Sequence, residues 1–148
     1  MPEALLWLIG DGGEGERLRA LTEELGVSES VIFTGSRSDA CDFIRASDLY
    51  VSASSIEGMP FNLIEALGCD RCVLASNVKG HADLITDGES GFLYEFGDTD
   101  GYLKSVVDIY RGEKAPSHEK IKASYERFNY ESVFPETLEI IREAAFDD

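Results

Sequence analysis

Basic residues are scarce: 13 lysines and arginines stand against 29 aspartates and glutamates, a formal net charge of −16. Such a field opposes association with nucleic acid or an anionic membrane surface, so neither is expected as a partner. Any anionic ligand must instead be met by local donors, either backbone amides or a few placed cations. Cysteine is also sparse, and its count of three is odd. This excludes a full disulfide framework and fits a reducing compartment. No apolar run approaches the roughly 18 residues of a membrane span. The given sequence opens without a basic segment followed by an apolar one, so no secretory signal is expected in it, and a start inside a larger gene product is compatible with that opening. The expected location is the cytoplasm.

Apolar residues at 43% of 148 are enough for a core without staples, and one compact unit is the starting expectation. LLWLIG (5–10) reads as a buried strand. GERLRALTEELG (15–26) reads as a helix with Leu18, Leu21 and Leu25 on one face, ended by Gly26. Strands then follow at 31–35, 49–54, 72–76 and 91–96, with helical stretches at 39–47, 62–69 and 80–85. From residue 99 the pattern is wholly helical, broken by GEKAPS at 112–117, and Pro135 falls early in the last helix or at a break within it. Nearly continuous apolar strands separated by helices imply an open, doubly wound parallel α/β sheet covered on both faces, with a helical C-terminal tail. Ligands of such sheets bind beyond the carboxyl ends of the strands, which directs attention to loops 10–15, 35–39, 54–62 and 76–80.

The most informative of these is SSIEGMPFNLIEAL, residues 54–67. Gly58 permits an unusual turn and Pro60 suits a first helical position, so a helix is expected to start near residue 60. The amides of Phe61, Asn62 and Leu63 would then be free, with the positive end of the helix dipole behind them, as phosphate requires. Glu57 and Glu65 bracket them. Ionised carboxylates only accept hydrogen bonds and so suit vicinal hydroxyls, which makes the array complementary to sugar, diphosphate and ribose in turn. The competing reading makes both glutamates surface charges that merely complement the helix end.

Glu57-Gly58-Met59-Pro60, with Glu65 eight positions after Glu57 and followed by Ala66, resembles the E-x7-E signature of the GT4 family of retaining glycosyltransferases with the GT-B fold. LIGDG (8–12), VIFTG (31–35), SDLYVSAS (47–54), VLASNVKG (73–80) and DGESGFLY (87–94) resemble the C-terminal, donor-binding domain of that family in the same order. The resemblance implies a Rossmann-like nucleotide-sugar-binding domain over 1–110, lacking the family's first strand and helix, with the helices of 111–148 packed on it. By that likeness Glu57 is the catalytic residue and contacts the transferred sugar, and Glu65 holds the ribose. The amides of Phe61, Asn62 and Leu63 meet the diphosphate, Gly58, Met59 and Pro60 belong to the same donor-binding loop, Gly10 and Gly12 let the first loop approach the donor, and Arg37 lies near the base. The implied substrate is a UDP- or GDP-sugar, with no metal and no cofactor. The implied partner is an N-terminal acceptor-binding domain, without which the chain would be inactive; membrane contact would come only through that part. Two departures stand out: Asp70 and Cys72 occupy positions where the family has Gly and Pro, and Lys79 replaces one glycine of its VGG-like loop.

Other readings stay open. Gly10-x-Gly12-x-x-Gly15 matches the letters of an NAD(P)-binding fingerprint, although Glu14 and Glu16 would meet the pyrophosphate and no acidic residue ends the next strand. Cys69-x-x-Cys72 follows a helix C-terminus, where the dipole opposes a thiolate, and supplies two of four zinc ligands; inert cysteines are expected. Glu57 and Glu65 could serve a glycoside hydrolase, or the fold could be a non-catalytic ligand-binding or interaction module.

Overall fold

The computed structural model describes residues 3–146. They form two compact units divided between Ala40 and Cys41, each with its own parallel sheet.

In the first unit, β1 (Leu6–Ile9) pairs in parallel with β2 (Val31–Gly35). The connection is α1 (Gly15–Glu24) and a short 3-10 turn, Ser28–Ser30. Helix α1 ends as its sequence dictates: Gly26 adopts φ 68°, and the amides of Gly26 and Val27 bond back to Glu23 and Thr22. The expectation of a sheet covered on both faces fails here. None of the described residues of this unit is buried, and Leu18, Leu21 and Leu25 are 37%, 42% and 64% exposed. Two strands and one helix cannot enclose a core.

The second unit holds the core. Its sheet runs β3 (Leu49–Ser52), β4 (Cys72–Ser76), β5 (Phe92–Tyr94), all parallel, with β4 central. The crossovers are α3 (Phe61–Gly68) and α4 (Lys79–Ala82), while α2 (Ala40–Ala46) leads into β3. Val73, Leu74 and Ala75 are fully buried, as the central place of an apolar strand requires. Leu63, Ala66 and Leu67 of α3 pack with β4 and with Ile44 of α2, burying the apolar stripe of a short amphipathic helix. Helix α5 (Thr99–Tyr110) is capped by the Asp98 carboxylate, which accepts from the Gly101 amide at 3.0 Å, and α6 (His118–Glu126) by Ser117.

Helix α6 packs on α3: Ile121 is buried, and the Tyr125 ring lies where a Cβ on Gly68 would collide with it. Helix α7 (Tyr130–Phe146) continues through Pro135 rather than breaking there. Its apolar residues are largely open in this chain, as a stripe that packs either on the sheet or on a further domain would leave them where the sheet is not its partner. Phe128, just before α7, packs against the core, but Tyr130, Phe134 and Ile141 are largely exposed and Leu138 is half-buried. Tyr130 instead stacks on Phe134, at 4.8 Å between ring centres. The turn after α3 explains Asp70. Its φ is +55°, the left-handed position usually given to glycine, and the amides of Asp70 and Arg71 close the helix end onto Leu67 and Ala66. His118 Nδ1 holds the Asp70 carboxylate at 2.8 and 2.9 Å.

Candidate functional site

The principal candidate lies beyond the carboxyl end of β3, wholly within the second unit. Strand β3 delivers the chain to Ser52, residues 53–60 form a loop, and α3 starts at Phe61. Pro60 is not the first helical residue as expected but the residue before it. It is buried, extended (φ −75°, ψ 99°), and its carbonyl accepts from the amides of Leu63 (3.1 Å) and Ile64 (3.2 Å). The Leu63 amide also meets Asn62 Oδ1 at 2.9 Å. Leu63 is therefore not one of the bare donors, because the first turn tightens enough to satisfy its N–H within the helix. The amides of Phe61 and Asn62 find no partner among the described residues, and Phe61 is 72% exposed, so they open towards solvent. A Cβ on Gly58 would meet nothing within 4 Å, and Met59 is exposed. At Gly58 the loop presents bare backbone, flanked by the exposed side chains of Ile56 and Met59.

Glu57 is half-buried and Glu65 exposed. What they have in common is Tyr50 of β3. Burial first, then the Glu65 carboxylate and then that of Glu57, push its phenol up to about 12, while a hydrogen bond with the Asn62 side chain acts the other way. Both carboxylates therefore bear electrostatically on one phenol of β3. Tyr50 escaped sequence reasoning, since an aromatic in an apolar strand reads as core. Only its alternation with the carboxyl-end loop could have marked it.

In the first unit, Gly10 has φ +128°, a conformation closed to other residues, and its amide donates to the Gly35 carbonyl at 2.9 Å. The Asp11 carboxylate accepts from the Ser36 amide at 2.8 Å, tying the Gly10–Gly12 loop to the turn that carries Arg37. Asp11 is a second residue that sequence reasoning passed over. Neither Gly10 nor Gly12 would meet anything within 4 Å if given a Cβ. The Arg37 guanidinium is engaged by both Asp39 oxygens, at 2.8 and 2.7 Å, a bidentate pair that holds Asp39 below and Arg37 above their ordinary ranges.

Two rival readings lose ground on this geometry. Glu16 occupies the first turn of α1, where a pyrophosphate would have to approach, and Glu14 just before it is paired with Arg17. Burial pushes the Cys72 thiol up to about 11 and raises that of Cys69, the reverse of what a reactive thiolate needs.

A parallel α/β architecture with a helix start carrying free amides beyond a strand's carboxyl end defines a class of ligand-binding α/β domain, and comparison with known proteins gives its family. The sequence profile of the family "Glycosyl transferases group 1" matches residues 1–127. The chain belongs to that family. It is 33% identical over 138 residues to the lipopolysaccharide 1,6-galactosyltransferase of Escherichia coli K12, covering 90% of this chain and 38% of that protein. Among solved structures it is similar to the lipopolysaccharide outer core galactosyltransferase WaaB in its apo form (TM-score 0.80, 28% identity, 97% of this chain and 40% of that one). It also shares its fold with Anabaena Alr3699/HepE in complex with UDP (TM-score 0.87, 24% identity, 97% and 42%). The fold is thus that of GT-B glycosyltransferases, and the chain spans about two fifths of the length of these relatives. No described helix is long and apolar enough to cross a membrane.

Proposed function

We propose that the chain is the donor-binding part of a retaining, GT4-type glycosyltransferase, acting in the cytoplasm on a nucleotide-diphosphate sugar. The carrying observation is the start of α3 beyond the carboxyl end of β3, where the Phe61 and Asn62 amides have no partner among the described residues and Glu57 and Glu65 lie in the same loop-to-helix segment. In this reading the two amides and the α3 dipole receive the diphosphate, Gly58, Met59 and Pro60 shape its approach, and Leu63 contributes packing rather than a donor. Glu65 accepts from the ribose hydroxyls. Glu57 accepts from a hydroxyl of the transferred sugar and steadies it as the bond to the diphosphate breaks. Amides aimed at the leaving diphosphate stabilise the charge that develops there, with no metal and no cofactor in the scheme. Gly10, Gly12 and Arg37 keep the donor-binding roles the family pattern assigns them. For Arg37 that requires sharing its guanidinium with Asp39.

The relatives are longer than this chain, and we assign the acceptor to an N-terminal domain of the complete enzyme. A strand and helix preceding Leu5 would complete the donor domain and bring the cations that the acidic chain lacks. The 148 residues alone would then be inactive. UDP is favoured as the nucleotide because the similar HepE fold holds it.

Replacing Glu65 with alanine in the complete enzyme tests the assignment. Each charge-assisted hydrogen bond lost contributes about 1.5–3 kcal/mol, so donor affinity should fall roughly tenfold to a hundredfold per contact in calorimetric titration with UDP-galactose. An unchanged affinity removes Glu65 from the site.

A further inference from the structure

Behind the Glu57 loop runs a chain of buried polar groups that the donor site does not use. His81 of α4 is fully buried. Its Nδ1 lies 2.8 Å from the Ser76 carbonyl oxygen and 3.2 Å from Ser76 Oγ, and its Nε2 lies 3.2 Å from Ser52 Oγ. A carbonyl can only accept, so the proton is on Nδ1, and Nε2 accepts from the Ser52 hydroxyl. The Ser76 hydroxyl is thereby left to donate to the Ser54 carbonyl, at 2.6 Å. Every polar group of the chain is satisfied, and together they join the end of β3, the end of β4, α4 and the first part of the loop.

The far side of the same loop is held by shape. Gly80 is buried, and a Cβ there would lie 2.7 Å from both the carbonyl carbon and the oxygen of Glu57 and 2.8 Å from its Cβ. That glycine is the one left in the Val78-Lys79-Gly80 loop. Lys79 beside it is exposed and pairs with Asp83, so the lysine substitution leaves the contact with Glu57 intact. Between the two pinned points, Ile56 is 83% exposed, and packing of its side chain does not hold the segment.

A buried imidazole is costly unless both nitrogens are bonded, and a fully satisfied polar network fixes geometry where apolar packing would leave alternatives. We infer that Ser76, Gly80 and His81 are positioning residues, which clamp the Ser54–Glu57 segment at both ends and so aim the Glu57 carboxylate. The role in catalysis rests on the proposed function of Glu57; the clamping does not.

The test therefore has two arms. Backbone amide relaxation is measured on the protein and on three variants, with Val73–Ala75 of β4 as the internal check on folding. In the unmodified protein the Ser54–Gly58 order parameters should be rigid, about 0.85. Ser76→Ala should drop them below about 0.6 while Val73–Ala75 stay unchanged. His81→Asn, which keeps a donor where Nδ1 stood, should give a smaller loss and serves if the alanine variant does not fold. Gly80→Ala breaks no hydrogen bond and should shift the Glu57 resonances without loosening the segment. The second arm follows UDP release from UDP-galactose by the complete enzyme. All three variants should lower kcat, Gly80→Ala at least tenfold, with the donor KM within twofold. Unchanged order parameters in Ser76→Ala together with unmoved Glu57 resonances in Gly80→Ala overturn the clamp. If the unmodified enzyme binds and cleaves none of a panel of UDP- and GDP-sugars, the donor reading fails, and the relaxation arm still decides the clamp.

Discussion

At the scale of single residues, Tyr50 reports on the site. Its phenol is raised from 10 to about 12, first by burial and then by the carboxylates of Glu65 and Glu57. The linkage follows from that direction. Below pH 10 both folded and unfolded chains keep the proton, and Tyr50 contributes in full. Between pH 10 and about 12 the unfolded chain releases it while the folded chain does not, so stability falls as pH rises. A phenol raised from 10 to about 12 corresponds to at most about 2 kcal/mol once partial exposure screens the charges. Urea unfolding at pH 9 and pH 12 should show a loss in the native protein that is smaller in Tyr50→Phe. Absorbance titration should place the Tyr50 transition lower in Glu65→Gln yet still above 10, because burial, the larger cause, remains. A transition unmoved by Glu65→Gln would separate that carboxylate from the phenol. The two glutamates stand out in the sequence through their resemblance to a family signature, eight positions apart around a glycine and a proline. Tyr50 and His81 do not, since an aromatic in an apolar strand and a lone histidine look the same whether they pack or organise a site.

Elements were legible where the chain punctuates itself. Strands β2 and β4 fall on residues 31–35 and 72–76 as their apolar runs require, and α1 stops where Gly26 turns left-handed. The start of α3 was read one residue early because a proline fits either just inside or just outside a helix, and only the Leu63 and Ile64 bonds to its carbonyl decide between them. The short α4 begins and ends earlier than its apolar pattern suggests, since Leu84 and Ile85 are buried by the turn that follows it rather than by the helix. Asp70 offers a test at this scale. It occupies a backbone position that costs a non-glycine residue about 1 kcal/mol or more, offset by an exposed pair with His118 worth less than about 1. Asp70→Gly should raise the unfolding free energy from urea titration slightly, by up to about 1 kcal/mol, and a marked loss would show that the His118 pair dominates.

For the whole molecule, the single sheet expected from alternating strands and helices is replaced by two, of two and three strands. Periodicity reveals that strands are parallel but not which neighbour each will find, so the division after Ala40 left no mark in the sequence. The units also differ in burial. Residues 41–146 contain the whole described core, with Leu63, Leu67, Val73 and Leu74 at 2% exposure or less, whereas the first unit buries none of its described residues. Hydrogen exchange should accordingly protect the amides of β4 most strongly and release those of β1 and β2 well before them. Simultaneous exchange of both sheets would show that the chain unfolds as one cooperative body.

The central claim is that the start of α3 receives a diphosphate between two hydroxyl-binding acids. The most direct measurement is amide chemical shift during titration of the complete enzyme with UDP, with uridine alone as control. The account predicts that UDP shifts Phe61 and Asn62 strongly and Leu63 much less, that uridine leaves all three in place, and that Glu65→Ala weakens the UDP response. Equal shifts with uridine, or shifts centred away from residues 57–65, would contradict it.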